Sequence, residues 1–409
     1  MHIAMVTDYY LPTLGGVQTA IKAAKESLEK LGHQVTIFCP LLKDNNNVGI
    51  VPLPISKVFR PDGFPFTWPP KDAIALLKAE FAARNVDVVH VHSEIFAALA
   101  GIRAAQDLGL PLVQSMHGRI DVYTAKVLPL PQLTTALLAG LHRRHLPHTS
   151  TPADPRSPYM STAMARRMWR LMVNQANAAD AVTVPSQHFA NKLIHQGVLP
   201  PVTVVSNGLE DSVLDLVGAP QFRGKTEQEP LRVMWCGRVS PEKRPDVFIR
   251  AVAAAGESVV ANIYGDGVAG KRARRLIHRL GVGHRITMHG GVPQQDVLEA
   301  MKQHHVFVST SHDFDNQPMV ILEAVSSGLP VVVCDPDLAE GLPAGGFLVT
   351  DSPQPHQLTA TLVSLAADSR QIAAMSKAVG SSSSRVAFGT HSAGLLDVYQ
   401  QATAAKSAL

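Results

Sequence analysis

Short β-branched and aromatic runs alternate with stretches of helical spacing along nearly the whole chain. Residues 2–7, 35–39, 87–93, 111–116, 179–186 and 202–208 read as strands of a first set. Residues 231–236, 261–264, 284–292, 306–309 and 331–333 read as strands of a second. Helical periodicity at 17–31 closes at Gly32, and Leu395, Leu396, Val398 and Tyr399 recur at helical spacing within 392–408. Repeated strand–loop–helix–strand units predict an α/β fold. The stretch 209–230, rich in Asp, Glu, Gly and Gln, interrupts the pattern and reads as an interdomain linker.

Composition adds limits. A chain of 409 residues is long enough for two domains of ordinary size, and 46% hydrophobic against 17% charged residues describes a globular protein with a sizeable core. Cys39, Cys236 and Cys334 lie far apart, each in or beside an apolar run, as expected of reduced thiols in a cytosolic protein rather than a disulfide framework or metal site. The first residues lack a charged n-region and a long apolar core, so no signal peptide is expected, and no stretch approaches the roughly 20 apolar residues of a membrane span. Charge is uneven. Residues 1–205 hold 19 Lys/Arg against 13 Asp/Glu (+6), and residues 206–409 hold 18 against 20 (−2). Chance variation gives such a split; read functionally, the first half is expected to meet something anionic, a membrane surface or a phosphorylated acceptor.

The densest chemistry lies between Asp313 and Val333. The strand at 306–309 leads into Asp313-Phe-Asp-Asn-Gln-Pro-Met-Val-Ile-Leu-Glu323, then a Gly-Leu-Pro break and another strand. Asp315 and Asn316 suit N-caps, Pro318 suits a first helical turn, and Gly328 with Pro330 ends the helix. This puts Asp315 at a helix mouth and Glu323, eight residues on, about two turns in. Free N–H groups at the mouth can hold a phosphate, and a carboxylate beside them can accept hydrogen bonds from sugar hydroxyls.

Elsewhere, Gly15 and Gly16 open a helix and let backbone approach a ligand closely. His117 leaves the carboxyl end of a strand, where open α/β sheets bind ligands. His90 and His92 share a strand face, but no third or fourth zinc ligand is placed nearby, so a structural role is expected. Gly265, Gly267 and Gly270 spell G-x-G-x-x-G and most of a Walker A loop. Arg272 stands where the magnesium-binding hydroxyl belongs, and the stretch follows the second strand of its domain, so neither a dinucleotide site nor an NTPase is expected.

The Asp315–Glu323 spacing, embedded in strand–cap–helix–Gly-Leu-Pro–strand, resembles the E-x7-E signature of retaining GT-B glycosyltransferases of the large family 4 group, with Asp315 in place of the first Glu. Gly237-Arg-Val-Ser-Pro-Glu-Lys243, the Pro-x-x-Gly-Gly-Val loop at 12–17, Asp87-Val-Val-His-x-His92 and His117-Gly118 match further family motifs. The resemblance implies two Rossmann-like domains facing a cleft. An acceptor domain would span 1–205 with a returning helix at 389–409, and a nucleotide-sugar donor domain 206–388. It implies retaining hexosyl transfer from a nucleoside-diphosphate sugar with no metal and no other cofactor. Arg238 and Lys243 would neutralise the diphosphate, with backbone N–H groups near Met319 and Val320 and the loop at Gly15 and Gly16. Glu323 would bind the ribose, and Asp315 and His117 the sugar. The Asp313-Phe-Asp315 D-x-D, a metal motif in GT-A enzymes, is then coincidental.

The expected acceptor is a lipid of the cytoplasmic leaflet, met by a peripherally associated protein. Residues 56–71 set four aromatics among prolines and basic residues. Residues 128–148 run from apolar to basic. Residues 161–173 carry Arg166, Arg167 and Arg170 on an amphipathic helix, which suits either an interfacial membrane contact or a core-packed helix with a solvated basic edge. No nucleic-acid motif is present. The alternatives are a soluble small-molecule or polysaccharide acceptor, or a catalytically weak nucleotide-sugar-binding protein.

Overall fold

In the computed structural model the alternating pattern becomes two all-parallel sheets, one in each of two units: Met1–Asn207 with His391–Leu409, and Gly208–Thr390. The structure describes residues 1–10, 15–41, 49–57, 65–127, 130–146, 154, 156–382 and 386–407. Pro12 of the Gly-Gly loop, residues 58–64 of the aromatic loop, 128, 129, 147 and 148 of the apolar-to-basic stretch, and Ala408 lie outside the described residues.

The first unit runs β1 (His2–Val6), α1 (Gly16–Lys30), β2 (Gln34–Pro40), β3 (Ile50–Leu53), α2 (Pro70–Ala83), β4 (Val88–Val91), α3 (Phe96–Leu108), β5 (Leu112–Ser115), α4 (Ile120–Val127), α5 (Pro131–His145), α6 (Ala163–Asn177), β6 (Ala181–Val184), α7 (Gln187–His195) and β7 (Val202–Val204). Its seven strands order as β3-β2-β1-β4-β5-β6-β7. Every residue of β1, β4, β5 and β6 is buried, which is why these strands read as unbroken apolar runs: helices cover both faces. The helix α6 lays Met164, Met168, Trp169, Leu171, Met172 and Val173 into the core, with Trp169 fully buried. Its apolar face is therefore not available to a membrane. Of the two readings open for this stretch, the core-packed helix with a basic edge is the one the structure shows.

The second unit runs α8 (Asp211–Val217), β8 (Leu231–Cys236), α9 (Pro245–Ala254), β9 (Val259–Tyr264), α10 (Gly270–Arg279), β10 (Ile286–Gly290), α11 (Gln294–Met301), β11 (Val306–Ser309), α12 (Met319–Ser326), β12 (Val331–Val333), β13 (Phe347–Val349), α13 (Pro355–Ala367) and α14 (Ser369–Gly380). Its sheet orders as β10-β9-β8-β11-β12-β13. The stretch read as a linker is part of this unit. Its helix α8 packs on α11 and α12, and Arg223 is buried, donating to the carbonyls of Gln221, Met301 and Ser327. A polar composition marked it as a loop, but buried backbone carbonyls need donors, and a guanidinium supplies several.

The last helix, α15 (Ser392–Ser407), belongs to the first unit. It buries Leu395, Val398, Tyr399 and Ala402 and packs on α1, β5 and β6.

Candidate functional site

Strand order in the second sheet reverses between β8 and β11, and ligands of open α/β sheets bind at such a switch point, beyond the strand carboxyl ends. The residues that carry the chemistry leave those two ends. Beyond β8, Arg238 Nη2 donates to Glu242 Oε1 at 2.8 Å, and Glu242 is fully buried. Lys243, closing a short 3₁₀ turn, donates from Nζ to both oxygens of Asp315 at 2.7 Å. Its ammonium also lies 5.5 Å from the Phe314 ring centroid. Thr310, just past β11, donates to the Lys243 carbonyl at 2.7 Å and accepts from Trp235 Nε1 at 2.9 Å, tying the two loops together.

The glycine loop set aside as a decoy braces this turn. Val239 N–H donates to the Asp266 carbonyl, and Ala269 N–H donates to the Val239 carbonyl, both at 2.9 Å. Gly265 has φ +124, and a Cβ there would sit 2.0 Å from the Gly237 carbonyl oxygen. Only glycine allows the two loops to meet so closely. Gly265→Ala is therefore expected to destabilise the second unit by at least roughly 3 kcal/mol, read as a lower midpoint in thermal or urea unfolding. An unchanged midpoint would show that the loops can part freely.

The helix mouth differs from expectation. The N-cap of α12 is Pro318, and neither Asp315 nor Asn316 caps it, so Glu323 lies about one turn in rather than two. Proline has no N–H to lose there. Asp315 serves the ion pair with Lys243 instead. Met319 and Val320 begin the helix, so their N–H groups have no intrahelical acceptor. Glu323 is buried and accepts from Gln294 Nε2 at 2.6 Å; burial pushes its carboxyl up to about 7, against the lowering effect of that hydrogen bond.

In the first unit His117 follows β5 and joins the two histidines of β4. His117 Nε2 lies 3.1 Å from His92 Nδ1, and the His92 and His90 ring centroids are 3.8 Å apart. His90 continues the ladder, with Nε2 2.7 Å from Ser115 Oγ and Nδ1 2.8 Å from the Tyr399 hydroxyl. Burial lowers His117 to about 4 and His90 to about 3, and holds His92 well below its usual value, so all three are neutral near pH 7. Among the described residues no group of three or more His, Cys, Asp or Glu side chains is arranged to hold a metal ion.

Tyr399→Phe would leave the buried His90 Nδ1 without its partner. The expected cost is roughly 1–2 kcal/mol in urea unfolding, and a change near zero would mean the hydroxyl does not fix the ladder. Gly15 is the N-cap of α1 and Gly16 its first residue, and the Gly15 carbonyl accepts from Thr19 N–H at 3.2 Å.

Sequence reasoning missed several supports. Glu242 was given no role within the Gly237–Lys243 motif, and Tyr399 was read only as a helix-face residue. Asp8, beyond β1, accepts from Ser93 Oγ at 2.6 Å and from the N–H groups of Ile95 and Ala97 at 3.0 and 2.7 Å, capping α3 from a distant strand end. Burial raises its pKa, and burial with the Asp8 charge pushes neighbouring Glu94 up to about 8. No local pattern marks a cap supplied by a residue so far away in sequence.

Two family profiles match this chain in tandem: Glycosyltransferase Family 4 over residues 14–213, and Glycosyl transferases group 1 over residues 220–379. The alpha-monoglucosyldiacylglycerol synthase of Streptococcus pneumoniae is 22% identical over 364 residues, 86% of this chain and 74% of that protein. The GDP-mannose-dependent alpha-mannosyltransferase of Mycobacterium tuberculosis is 25% identical over 356 residues, 82% of this chain and 79% of that protein. Among solved structures, Anabaena HepE in complex with UDP-glucose aligns with a TM-score of 0.68 at 17% identity, covering 100% of both chains. The sucrose-phosphate synthase of Thermosynechococcus elongatus aligns with a TM-score of 0.74 at 15% identity, covering 99% of each. At these identities the structural likeness is one of fold, the GT-B fold.

Proposed function

We propose a reaction from one premise: the chain belongs to glycosyltransferase family 4. It is a glycosyltransferase, and relatives bear the names of enzymes acting on lipid acceptors. Our reading is that it moves a hexose from a nucleoside-diphosphate sugar, of the GDP-mannose or UDP-glucose type, to a membrane lipid at the cytoplasmic leaflet, with retention at the anomeric carbon and without a metal. The observation that carries it is the pairing of Lys243 with Asp315, beside Arg238, at the β8/β11 switch point and the mouth of α12.

In this reading Arg238, Lys243 and the N–H groups of Met319 and Val320 take the diphosphate, and Glu323 accepts the ribose hydroxyls. The bond from C1 to the diphosphate oxygen breaks, the acceptor oxygen bonds to C1 on the same face, and the acceptor proton passes to the departing phosphate. Positioning and fixed charge supply the catalysis. Asp315 holds Lys243 in place. Each of its oxygens keeps a second lone pair for a sugar hydroxyl, and His117 is the other sugar contact. The Gly15–Gly16 loop is assigned to the donor phosphates. Support for a lipid acceptor is the +6 balance of residues 1–205 and the diacylglycerol and phosphatidylinositol in the names of two relatives. No helix among the described residues is long and apolar enough to cross a membrane, so contact with lipid would be peripheral.

The test is incubation with UDP-glucose or GDP-mannose and mixed lipid micelles, with the product's anomeric configuration read by NMR and the rate compared with and without EDTA. An α-glycolipid formed at an unchanged rate in EDTA is the expected result. A protein whose melting temperature rises with UDP or GDP but which never releases nucleotide from any sugar donor would be a binder, and the transfer reading would fall.

A further inference from the structure

We propose that a cavity between α5 and α6 of the first unit binds a phosphoryl group, and that its source is the headgroup of an anionic membrane lipid. Only the choice of a lipid source rests on the lipid-acceptor reading above. The phosphoryl chemistry stands on the cavity itself.

The cavity measures about 500 Å³, and Arg143, Arg166, Arg167, Arg170 and His142 line it, with Leu146 and Leu171 in its apolar wall. No carboxylate contributes to that lining among the described residues. Two of the arginines are fixed by the fold. Arg167 Nη1 donates to the Gln132 carbonyl at 3.0 Å and to Thr135 Oγ1 at 2.8 Å, and Arg166 Nη1 donates to the Met160 carbonyl at 3.0 Å. Arg143 and Arg170 are exposed and make no hydrogen bond or ion pair with any described residue. Guanidinium groups cannot shed their charge, so four of them around one concavity repel one another until an anion arrives. A phosphoryl group offers several acceptor oxygens to planar donors of this kind.

His142 closes the inner wall of the cavity. It is 5% exposed, its ring stacks on Phe96 at 6.2 Å and it interacts with the Ile95 backbone, and burial lowers it to about 3, so the charge of the lining is carried by the arginines.

The source follows from an adjacent face of α5. Leu130, Leu133 and Leu137 are exposed at 73%, 57% and 60%, spaced along one stripe at the start of that helix. Angular position at about 100° per residue sets this stripe roughly a quarter-turn or more from Ala136 and Arg143 on the cavity side. A helix presenting leucines on one face and a cationic cavity on the neighbouring face divides its contacts between acyl chains and headgroups. A soluble phosphate ester would use the arginines and leave the leucines bare.

The experiment is flotation with phosphatidylcholine vesicles, with and without phosphatidylglycerol, at low salt. Thermal shift with glycerol 3-phosphate runs beside it. The cavity variant is Arg143→Gln with Arg170→Gln, neither of which holds the fold together. A charge-matched control is Arg272→Gln with Arg275→Gln on α10 of the second unit. Phosphatidylglycerol-dependent binding is expected to weaken roughly thirtyfold in the cavity variant, the loss of two cations at an anionic surface, and to change little in the control. Glycerol 3-phosphate should raise the melting temperature of the wild type alone. Equal losses in both variants would reduce the effect to bulk charge and overturn the proposal. Protection by glycerol 3-phosphate without vesicle binding would keep the phosphoryl site and sink its lipid source. If neither probe separates the cavity variant from the wild type, the cavity assignment fails, while transfer to lipid in micelles still tests the acceptor reading on its own.

Discussion

Lys243→Met is expected to lower kcat/KM for nucleotide-sugar turnover by roughly a hundred- to a thousandfold, the usual loss when one fixed donor to a developing oxyanion is removed. The leaving diphosphate gathers charge as the bond to C1 breaks, and Lys243 is the cation whose position is held at both oxygens of one carboxylate. Its removal does more than subtract a positive charge. Asp315, with a side chain 14% exposed, would remain as an unpaired acid beside the departing phosphates. A structural explanation predicts a different pattern from a catalytic one. The double variant Lys243→Met/Asp315→Asn removes both charges, so it should regain most of the melting temperature lost by the single variant without regaining turnover. Recovery of kcat/KM along with stability would show that Lys243 serves only to satisfy Asp315, and the diphosphate assignment would be abandoned.

The sheets were legible because parallel strands covered on both faces leave a continuous apolar run. The runs at 2–7, 87–93, 111–116, 231–236 and 306–309 all contain strands of the structure. The juxtaposition of Lys243 with Asp315 was not legible from spacing, since 72 residues separate them and strand order alone brings them together. Where local pattern and tertiary bonding competed, tertiary bonding won. Asp315 is a good N-cap by type, but an ammonium offered it two charge-assisted hydrogen bonds, and Pro318 took the cap position. Residues 209–230 have loop composition, yet the buried Arg223 and the helix α8 make them part of a domain. The glycines at 265 and 267 matched phosphate-binding patterns, but their cause is backbone contact: a Cβ would lie 2.0 Å from the Gly237 carbonyl oxygen in one case and 2.6 Å from that of Val239 in the other. Motifs report a constraint on the backbone without saying what imposes it.

Nucleotide binding should carry a proton signature centred near pH 7, and its origin is Glu323. Burial pushes this carboxyl from 4.5 to about 7, so near neutrality a substantial fraction is protonated in the unliganded protein. A ribose diol donates to the ionised form, so binding should tighten as pH rises through 7 and release up to one proton where the acid was still protonated. Calorimetry in two buffers of different ionisation enthalpy reads that release directly. The stability effect has the opposite sense from that of a salt-bridged acid. Between pH 4.5 and 7 the folded chain holds a proton that the unfolded chain has lost, so this group's contribution falls as pH rises across that window and is flat above it. Glu323→Gln removes the titration but keeps an amide acceptor near Gln294, so the unliganded variant should match or exceed wild-type stability above pH 7. Nucleotide affinity should nevertheless fall by roughly tenfold or more, as two charge-assisted hydrogen bonds become neutral ones. Affinity that stays intact in Glu323→Gln, or wild-type binding without proton release at pH 7, would remove Glu323 from the ribose site and leave it as a buried acid held by Gln294 alone.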